Sequence, residues 1–201
     1  MLGKTELLEA VASTNRGLLA SRTDQQTIQS LAATLEDRNP HPEPLAATAQ
    51  LNGIWRLLYT TSDELLGIDR FPLYQLGQIY QCIYLDETRI YNIAEVVGLP
   101  QLSGLVSGGA SFEAVSTKRV NVAFERGVFG LQTLLGYESP KQFIQKLQDQ
   151  NKFPWWQGID FRINRDRQAG WLEVTYLDDD LRIGRGNQGS LFVLRKVKTS
   201  I

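Results

Sequence analysis

Three consecutive aspartates, Asp178, Asp179 and Asp180, are followed closely by two arginines, Arg182 and Arg185. Carboxylates packed this densely can offer oxygen ligands to a divalent cation. Calcium-loop spacing is missing, however, and the run separates two short apolar stretches. The plainer expectation is a polar hairpin whose acids cap the turn and pair with Arg182 and Arg185. The two arginines have opposite parity on a regular strand, so one of them is expected to point inward. An inward guanidinium would be either a polar anchor for a ligand head group or the buried partner of an aspartate. A second cluster, Phe153-Pro154-Trp155-Trp156, has no acid–base capacity but suits a lipid interface, where Trp is favoured. Phe129 sits in the neighbouring apolar stretch from Gly127 to Gly136, and two such loops at one rim would form a membrane or partner surface. The competing expectation has these rings packed over the end of the core.

The remaining inventory excludes more than it offers. The only histidine, His41, lies in the Pro-rich stretch Asn39-Pro-His-Pro-Glu-Pro44, which favours an extended linker. A His-based metal site and a Ser-His triad are therefore not expected, and no metal or cofactor is anticipated. The single cysteine, Cys82, allows no intramolecular disulfide, fits a reducing compartment and reads as inert packing. A formal net charge of −1 supplies no basic field for nucleic acid. No apolar run approaches the ~20 residues of a membrane span, and the N-terminus shows neither a secretory leader nor an Arg- and Ser-rich transit segment. A soluble or peripheral protein is expected.

The elements that must position these residues fall into two regimes. From Lys4 to about Thr14, Leu7, Leu8 and Val11 recur at helical spacing, and Asn15-Arg16-Gly17 gives a stop. A second helix is predicted from about Thr23, with Thr23 and Gln26 as a capping box, Ile28, Leu31, Ala32 and Leu35 as its apolar face, and Pro40 as its end. After the Pro linker the period changes from 3.6 to 2. Alternating runs begin at Leu51–Thr61 and recur near 78–85, 88–97, 110–114, 119–125, 159–163, 172–176, 181–183 and 191–193. Glycines at 98, 104, 108, 109, 127, 130, 170, 184, 186 and 189 mark expected turns or bulges. One helix interrupts them, with Ser139 as N-cap, Pro140 at N1 and Phe143, Ile144 and Leu147 on its buried side.

Such a chain of 201 residues is mainly β with N-terminal helices. The predicted architecture is an α+β fold built on a closed antiparallel barrel of about eight or nine strands. Residues 1–44 form a helical extension and linker packed on it, residues 45–201 the barrel itself, with a further helix near 139–149. Gly53 and Trp55 on the first strand and Arg195 on the last are the expected closure, with Arg195 turned inward onto the indole. The cavity candidates are Trp55, Leu57, Tyr59, Tyr91, Phe124, Tyr176, Arg182 and Arg185. Small closed barrels commonly hold an apolar ligand.

The sequence resembles the plastid lipid-associated protein family, also called fibrillins or plastoglobulins. The matching stretches are Leu7-Leu8-Glu9-Ala10-Val11, Thr14-Asn15-Arg16-Gly17-Leu18, Leu35-Glu36 with Asn39-Pro40, Leu51 to Ser62, and Thr175 to Leu194. The last is the most specific; Trp55, Tyr59, Tyr176, Asp178, Arg182, Arg185 and Gly186 match the family pattern, whereas residues 71–168 match loosely. The resemblance implies a lipocalin-like barrel that binds an isoprenoid quinone, carotenoid or fatty acyl lipid, with no catalytic residues to carry over. It also implies peripheral association with thylakoids or lipid droplets, and the lack of a transit segment suggests a cyanobacterial-type member, cytoplasmic or on its thylakoids. The alternatives are an interaction module docking on isoprenoid-synthesis or photosystem proteins and, third, an enzyme resembling a bilin lyase.

Overall fold

The opening and closing strands of the chain lie side by side. β1 (Gly53–Thr60) runs antiparallel to β9 (Leu191–Lys196), with Trp55 opposite Lys196 and Thr60 opposite Phe192. Between them come β2 (Gln75–Tyr84), β3 (Arg89–Val97), β4 (Gly104–Ala114), β5 (Arg119–Leu131), β6 (Ile159–Arg162), β7 (Ala169–Leu177) and β8 (Leu181–Gly186). Helices α1 (Lys4–Ala12), α2 (Arg22–Glu36) and α3 (Thr48–Leu51) precede β1, α4 (Asp63–Leu66) follows it, and α5 (Gln132–Leu135) and α6 (Pro140–Asp149) stand between β5 and β6. The computed structural model describes residues 3–67, 75–99, 102–164 and 169–198. The pairing order β4-β3-β2-β1-β9-β8-β7-β5, completed by β4 with β5, closes a ring of antiparallel strands, and β6 adds to β5 outside that ring. A closed ring leaves no edge among its own strands.

The barrel wall is buried on both faces across much of its circumference. Inside, Trp55, Leu57, Ile79, Ile83, Ile90, Val120, Val122, Leu177 and Leu194 form one apolar cluster. On one outer sector, Leu7 and Val11 of α1 and Ile28, Ala32 and Leu35 of α2 pack on Tyr59, Tyr176, Leu181, Ile183, Leu191 and Val193. On another, Phe143, Ile144 and Leu147 of α6, with Phe153, cover Cys82, Ile93, Leu105 and Val128. Helices this short are marginal alone, so their apolar faces owe their order to the barrel beneath.

Local chemistry sets the helix ends. Ser21 and Asp24 make the capping box of α2, the Asp24 N–H donating to Ser21 Oγ and the Ser21 N–H to Asp24 Oδ2. The box falls two residues before the predicted Thr23–Gln26 pair. Ser139 caps α6 as predicted, accepting from the Gln142 N–H, with Pro140 at the first helical position. Between α1 and α2, Asn15, Arg16 and Gly17 take φ of 45°, 62° and 112°. This left-handed turn lays the Arg16 carbonyl beside β1, where it accepts from the Thr60 N–H at 3.0 Å.

Two features of the strands depart from the alternation seen in sequence. Bulges in β1 after Leu57 and in β7 after Val174 shift the register. A bulge places two successive side chains on one face. Leu58 and Tyr59, like Thr175 and Tyr176, consequently turn outward toward the helices. Most glycines read as turns or bulges are inside strands, Gly109 at a bulge of β4, and Gly184 and Gly186 face the lumen.

A candidate ligand cavity in the barrel

Inward positions of the ring enclose a cavity of about 330 Å³. That lies at the small end of the roughly 300–1,000 Å³ usual for drug-sized ligands. Its wall is mostly apolar: Leu57 from β1, Ile79 and Ile83 from β2, Ile90 from β3, Phe112 from β4, Val120, Val122 and Phe124 from β5, Leu172 and Val174 from β7, and Phe192 and Leu194 from β9. Gly184 and Gly186 on β8 contribute space by having no side chain.

One end is closed. Leu51 at the end of α3 and Leu45 before it line the cavity there, and Leu45 is tied to the turn between β4 and β5 by its N–H to the Thr117 carbonyl at 3.2 Å. Trp55 lies behind this end, fully buried, its Nε1–H donating to the Leu51 carbonyl at 2.8 Å. At the opposite end the lining passes to Thr61, Ser62 and Asp63 after β1 and to Asn187 and Ser190 between β8 and β9. Asp63 and Asn187 are exposed, so among the described residues this end opens to solvent as the mouth.

A short polar chain interrupts the apolar wall near the closed end. Arg182 on β8 donates from Nη2 to Gln81 Oε1 at 2.5 Å, and Gln81 Nε2 donates to Asn92 Oδ1 at 3.1 Å. The Arg182 guanidinium lies over the Trp55 ring at 5.0 Å, and Lys196 Nζ lies 5.5 Å from the same ring while donating to the Ala49 and Gln50 carbonyls. Burial pushes the guanidinium down to about 9, which still leaves it protonated at neutral pH.

Of the sequence candidates, Leu57, Phe124 and Arg182 line the cavity, and Trp55 supports Arg182 from behind. Tyr59 and Tyr176 do not face it; the bulges turn both under α1 and α2. Tyr91 also faces outward, edge-on to Tyr84 beside the α6 cluster. Arg185 points outward too, where its guanidinium pairs with Glu36 of α2 at 2.8 and 2.9 Å. Arg195 is not the closure residue: it sits opposite Arg56, half-exposed, with Asp180 at 3.5 Å. Leu191 and Val193 share its outward parity and look inward-facing in sequence only because the helix pair buries them. The indole of Trp55 receives Arg182 and Lys196 in its place. Gly53, with φ of 125°, stands beside the Lys196 stem.

The aspartate hairpin is polar, but its partners differ from those expected. Asp178 accepts from Lys4 Nζ and from the Tyr176 hydroxyl, each at 2.7 Å, and from the backbone N–H groups of Asp180 and Leu181. Asp180 is bonded by Lys4 as well, and Asp179 is exposed. Neither Arg182 nor Arg185 pairs with these acids among the described residues.

Gln81 and Asn92 were not singled out from sequence. A signal existed: each stands between apolar residues two positions away, Gln81 between Ile79 and Ile83 and Asn92 between Ile90 and Ala94. Polar residues on the apolar face of a strand are what polar lining of a cavity looks like in sequence. Cys82 is buried on the opposite face, where desolvation pushes its thiol up to about 12 and leaves it unreactive.

The aromatic loop divides. Phe153 is buried and stacks on Phe143 at 5.9 Å, which removes it from the surface cluster. Its N–H donates to Asp160, itself bound in a fork by Nε and Nη2 of Arg126, whose remaining Nη1 donates to the Leu147 and Gln150 carbonyls at the end of α6. From that anchor Trp155 and Trp156 project outward, 86% and 60% exposed. Phe129 on β5 is half-exposed opposite Ile159 on β6, with Phe161 and Leu134 also exposed. β6 takes the part of the β5 edge beyond the start of β7, because β7 pairs with 119–123 and β6 with 126–129. This apolar surface therefore lies toward the same end of the barrel as the mouth.

The PAP_fibrillin family model matches residues 1–195, the barrel and its helix pair together. The chain belongs to this family. Curated relatives agree with that assignment. The chain is 36% identical over 217 residues to "Light-induced protein, chloroplastic" of Solanum tuberosum, covering 96% of this chain and 66% of that protein. It is 33% identical to "Chromoplast-specific carotenoid-associated protein, chromoplastic" of Cucumis sativus over 98% of this chain and 68% of the relative. "Probable plastid-lipid-associated protein 2, chloroplastic" of Arabidopsis thaliana is 32% identical over 96% and 70%. The chain thus spans about two thirds of the length of these relatives. No solved structure matches it significantly. This PAP_fibrillin barrel has no helix, among the described residues, long and apolar enough to cross a membrane.

Proposed function

We propose that the barrel holds one hydrophobic small molecule in its lumen and exchanges it at a lipid surface, without catalysing a reaction on it. The observation that carries this reading is the cavity: about 330 Å³, mostly apolar-walled, capped by Leu45 and Leu51 and, among the described residues, open between Asp63 and Asn187. Transferring an apolar chain from water into such a space is favourable by roughly 25 cal/mol per Å² of apolar surface. Candidate ligands are an isoprenoid quinone, a carotenoid or a fatty acyl lipid, and two relatives carry carotenoid- and lipid-associated in their names. A longer polyene or prenyl chain would leave part of its length beyond the mouth. Around Arg182 the described lining offers only the neutral amides of Gln81 and Asn92 within an otherwise apolar wall, which supports a carrier over a lyase.

The exposed side chains of Trp155, Trp156, Phe129, Ile159 and Phe161 support contact with a peripheral lipid surface. Their place toward the mouth would let a ligand pass from lipid into the barrel with little contact with water. The site of action on this reading is a photosynthetic membrane or lipid droplet. The interaction-module alternative loses one expected docking face, since α1 and α2 spend their apolar sides on the barrel.

The test is uptake by delipidated full-length protein of ubiquinone, β-carotene and palmitate, followed by fluorescence quenching and native mass spectrometry. Saturation at one molecule per chain by any of the three is the expected result. Failure of all three to saturate would remove the carrier role.

A further inference from the structure

Arg182 is only 3% exposed, yet among the described residues no carboxylate pairs with it. Of the aspartates nearest in sequence, Asp178 is held by Lys4 and Asp180 by Lys4 and Arg195, and Asp179 is exposed. Its Nη2 has Gln81 as partner, one face rests on Trp55, and its buried Nε has no hydrogen-bond partner. A buried cation of this kind is costly, and proteins usually supply a counter-charge and fill every donor. Here the described residues supply neither, and the guanidinium lines the ligand cavity itself.

Charge decides the class of ligand. A wholly apolar guest would strip the remaining solvent access from Arg182 and give nothing back. A neutral acceptor such as a carbonyl or hydroxyl would fill a donor but leave the positive charge uncompensated. A carboxylate does both, since its two oxygens match the fork of a guanidinium. On the carrier reading above, we infer that the native ligand is an apolar chain ending in a carboxylate, seated head first with its carboxylate on Arg182. Asn187 at the mouth lies five positions along the chain from Arg182, about 17 Å at ~3.3 Å per residue. The tail then runs along Val122, Phe124 and Phe192 toward the opening, and Gln81 and Asn92 extend the polar floor around the head. The same chemistry belongs to a fatty acid and to an isoprenoid acid.

The experiment compares matched probes on the delipidated full-length protein: palmitate, methyl palmitate and hexadecanol, then retinoic acid and retinol. Palmitate is expected to bind ~10- to 100-fold more tightly than its ester or alcohol, the range of a charge-assisted hydrogen bond in a buried site. Arg182→Met should abolish that preference while hexadecanol binding persists. In palmitate labelled with carbon-13 at the carboxyl, the bound signal should stay that of the ionised form well below the ordinary carboxylic-acid range. Tighter retention of palmitate than of retinoic acid assigns a fatty acid, and the reverse assigns an isoprenoid acid; both outcomes support the head-group assignment. Equal affinity for acid, ester and alcohol overturns the anchor and leaves the carrier intact. If no probe saturates, the cavity reading fails first and the anchor with it. Should Arg182→Met not fold, the probe series and the carboxyl signal in the unsubstituted protein decide the matter alone.

Discussion

Lys4, in the first turn of α1, reaches Asp178, on the turn between β7 and β8, at 2.7 Å across 174 residues of sequence. Only 13% of the Asp178 side chain is exposed, and it also takes the Tyr176 hydroxyl and two backbone N–H groups. Burial alone would raise this carboxyl, but the hydrogen bonds from Lys4, Asp180, Tyr176 and Leu181 outweigh it and hold it below its ordinary 3.8. A carboxyl depressed by folding adds stability that is fully present above its unfolded value and is lost as pH falls through the folded one. Asp178→Asn is expected to cost about 1–2 kcal/mol at neutral pH, the lower part of the charged hydrogen-bond range because Lys4 is partly exposed. Urea unfolding at successive pH values should show a constant gap between the two proteins near neutrality that closes below about pH 4. A gap that persists unchanged into strong acid would place the Asp178 contribution elsewhere.

Gly17 ties the same helix pair to β1. With φ of 112°, it occupies a conformation that L side chains rarely adopt, and an added Cβ would stand 2.3 Å from the Thr60 carbonyl oxygen. Gly17→Ala must therefore move the turn or the strand end. A loss of about 2–4 kcal/mol in denaturant unfolding is expected, from backbone strain and a buried clash together. A loss below about 0.5 kcal/mol would mean that the turn relaxes freely and does not fix the helices on the barrel.

Val122 is buried and points into the lumen from the first half of β5. Val122→Phe adds a ring where the barrel has space and should cost less than the ~1–3 kcal/mol of overpacking a full core, or raise stability slightly. Ligand uptake should fall at least tenfold because the ring takes ligand volume. Unimpaired uptake in a folded variant would show that the ligand sits elsewhere.

Much of this barrel is legible in the sequence, and the reasons for the losses are specific. Trp55 and Leu57 alternate as a strand should, and the β1–β9 closure follows from them. Tyr59 and Tyr176 are lost because each follows a bulge, and one inserted residue moves every later side chain to the other face. Leu191, Val193 and Arg195 mislead for another reason: alternation reports which residues share a face, not which face is the lumen. With the helix pair covering the outside, Val193 and Leu194 are both buried although they point in opposite directions. The one-residue slip from Arg195 to Lys196 at the Trp55 indole follows directly. Parity sets Arg182 and Arg185 on opposite faces, but which of them faces the lumen, and that no described carboxylate pairs with Arg182, requires three-dimensional contacts.

The exposed tryptophans make the last prediction. Trp155 and Trp156 are held edge-on to each other at 6.2 Å, on a loop whose base is fixed by Phe153 and the Arg126–Asp160 fork. A rigid base with two projecting indoles is suited to the headgroup level of a lipid surface, where burying each ring is worth roughly 1.5–3 kcal/mol if fully transferred. Replacing both with glutamate removes the apolar contact and adds two charges without touching the core. Binding to neutral-lipid droplets or galactolipid vesicles, read by flotation, should fall by at least tenfold while unfolding and lumen binding in detergent-free buffer stay unchanged. The two readouts separate docking from carriage: retained flotation would move lipid contact to another face, and lost lumen binding would mean that the loop shapes the cavity itself. Loading from vesicles should slow in the same variant, because the patch and the mouth lie toward one end of the barrel and a displaced patch lengthens the ligand's path through water.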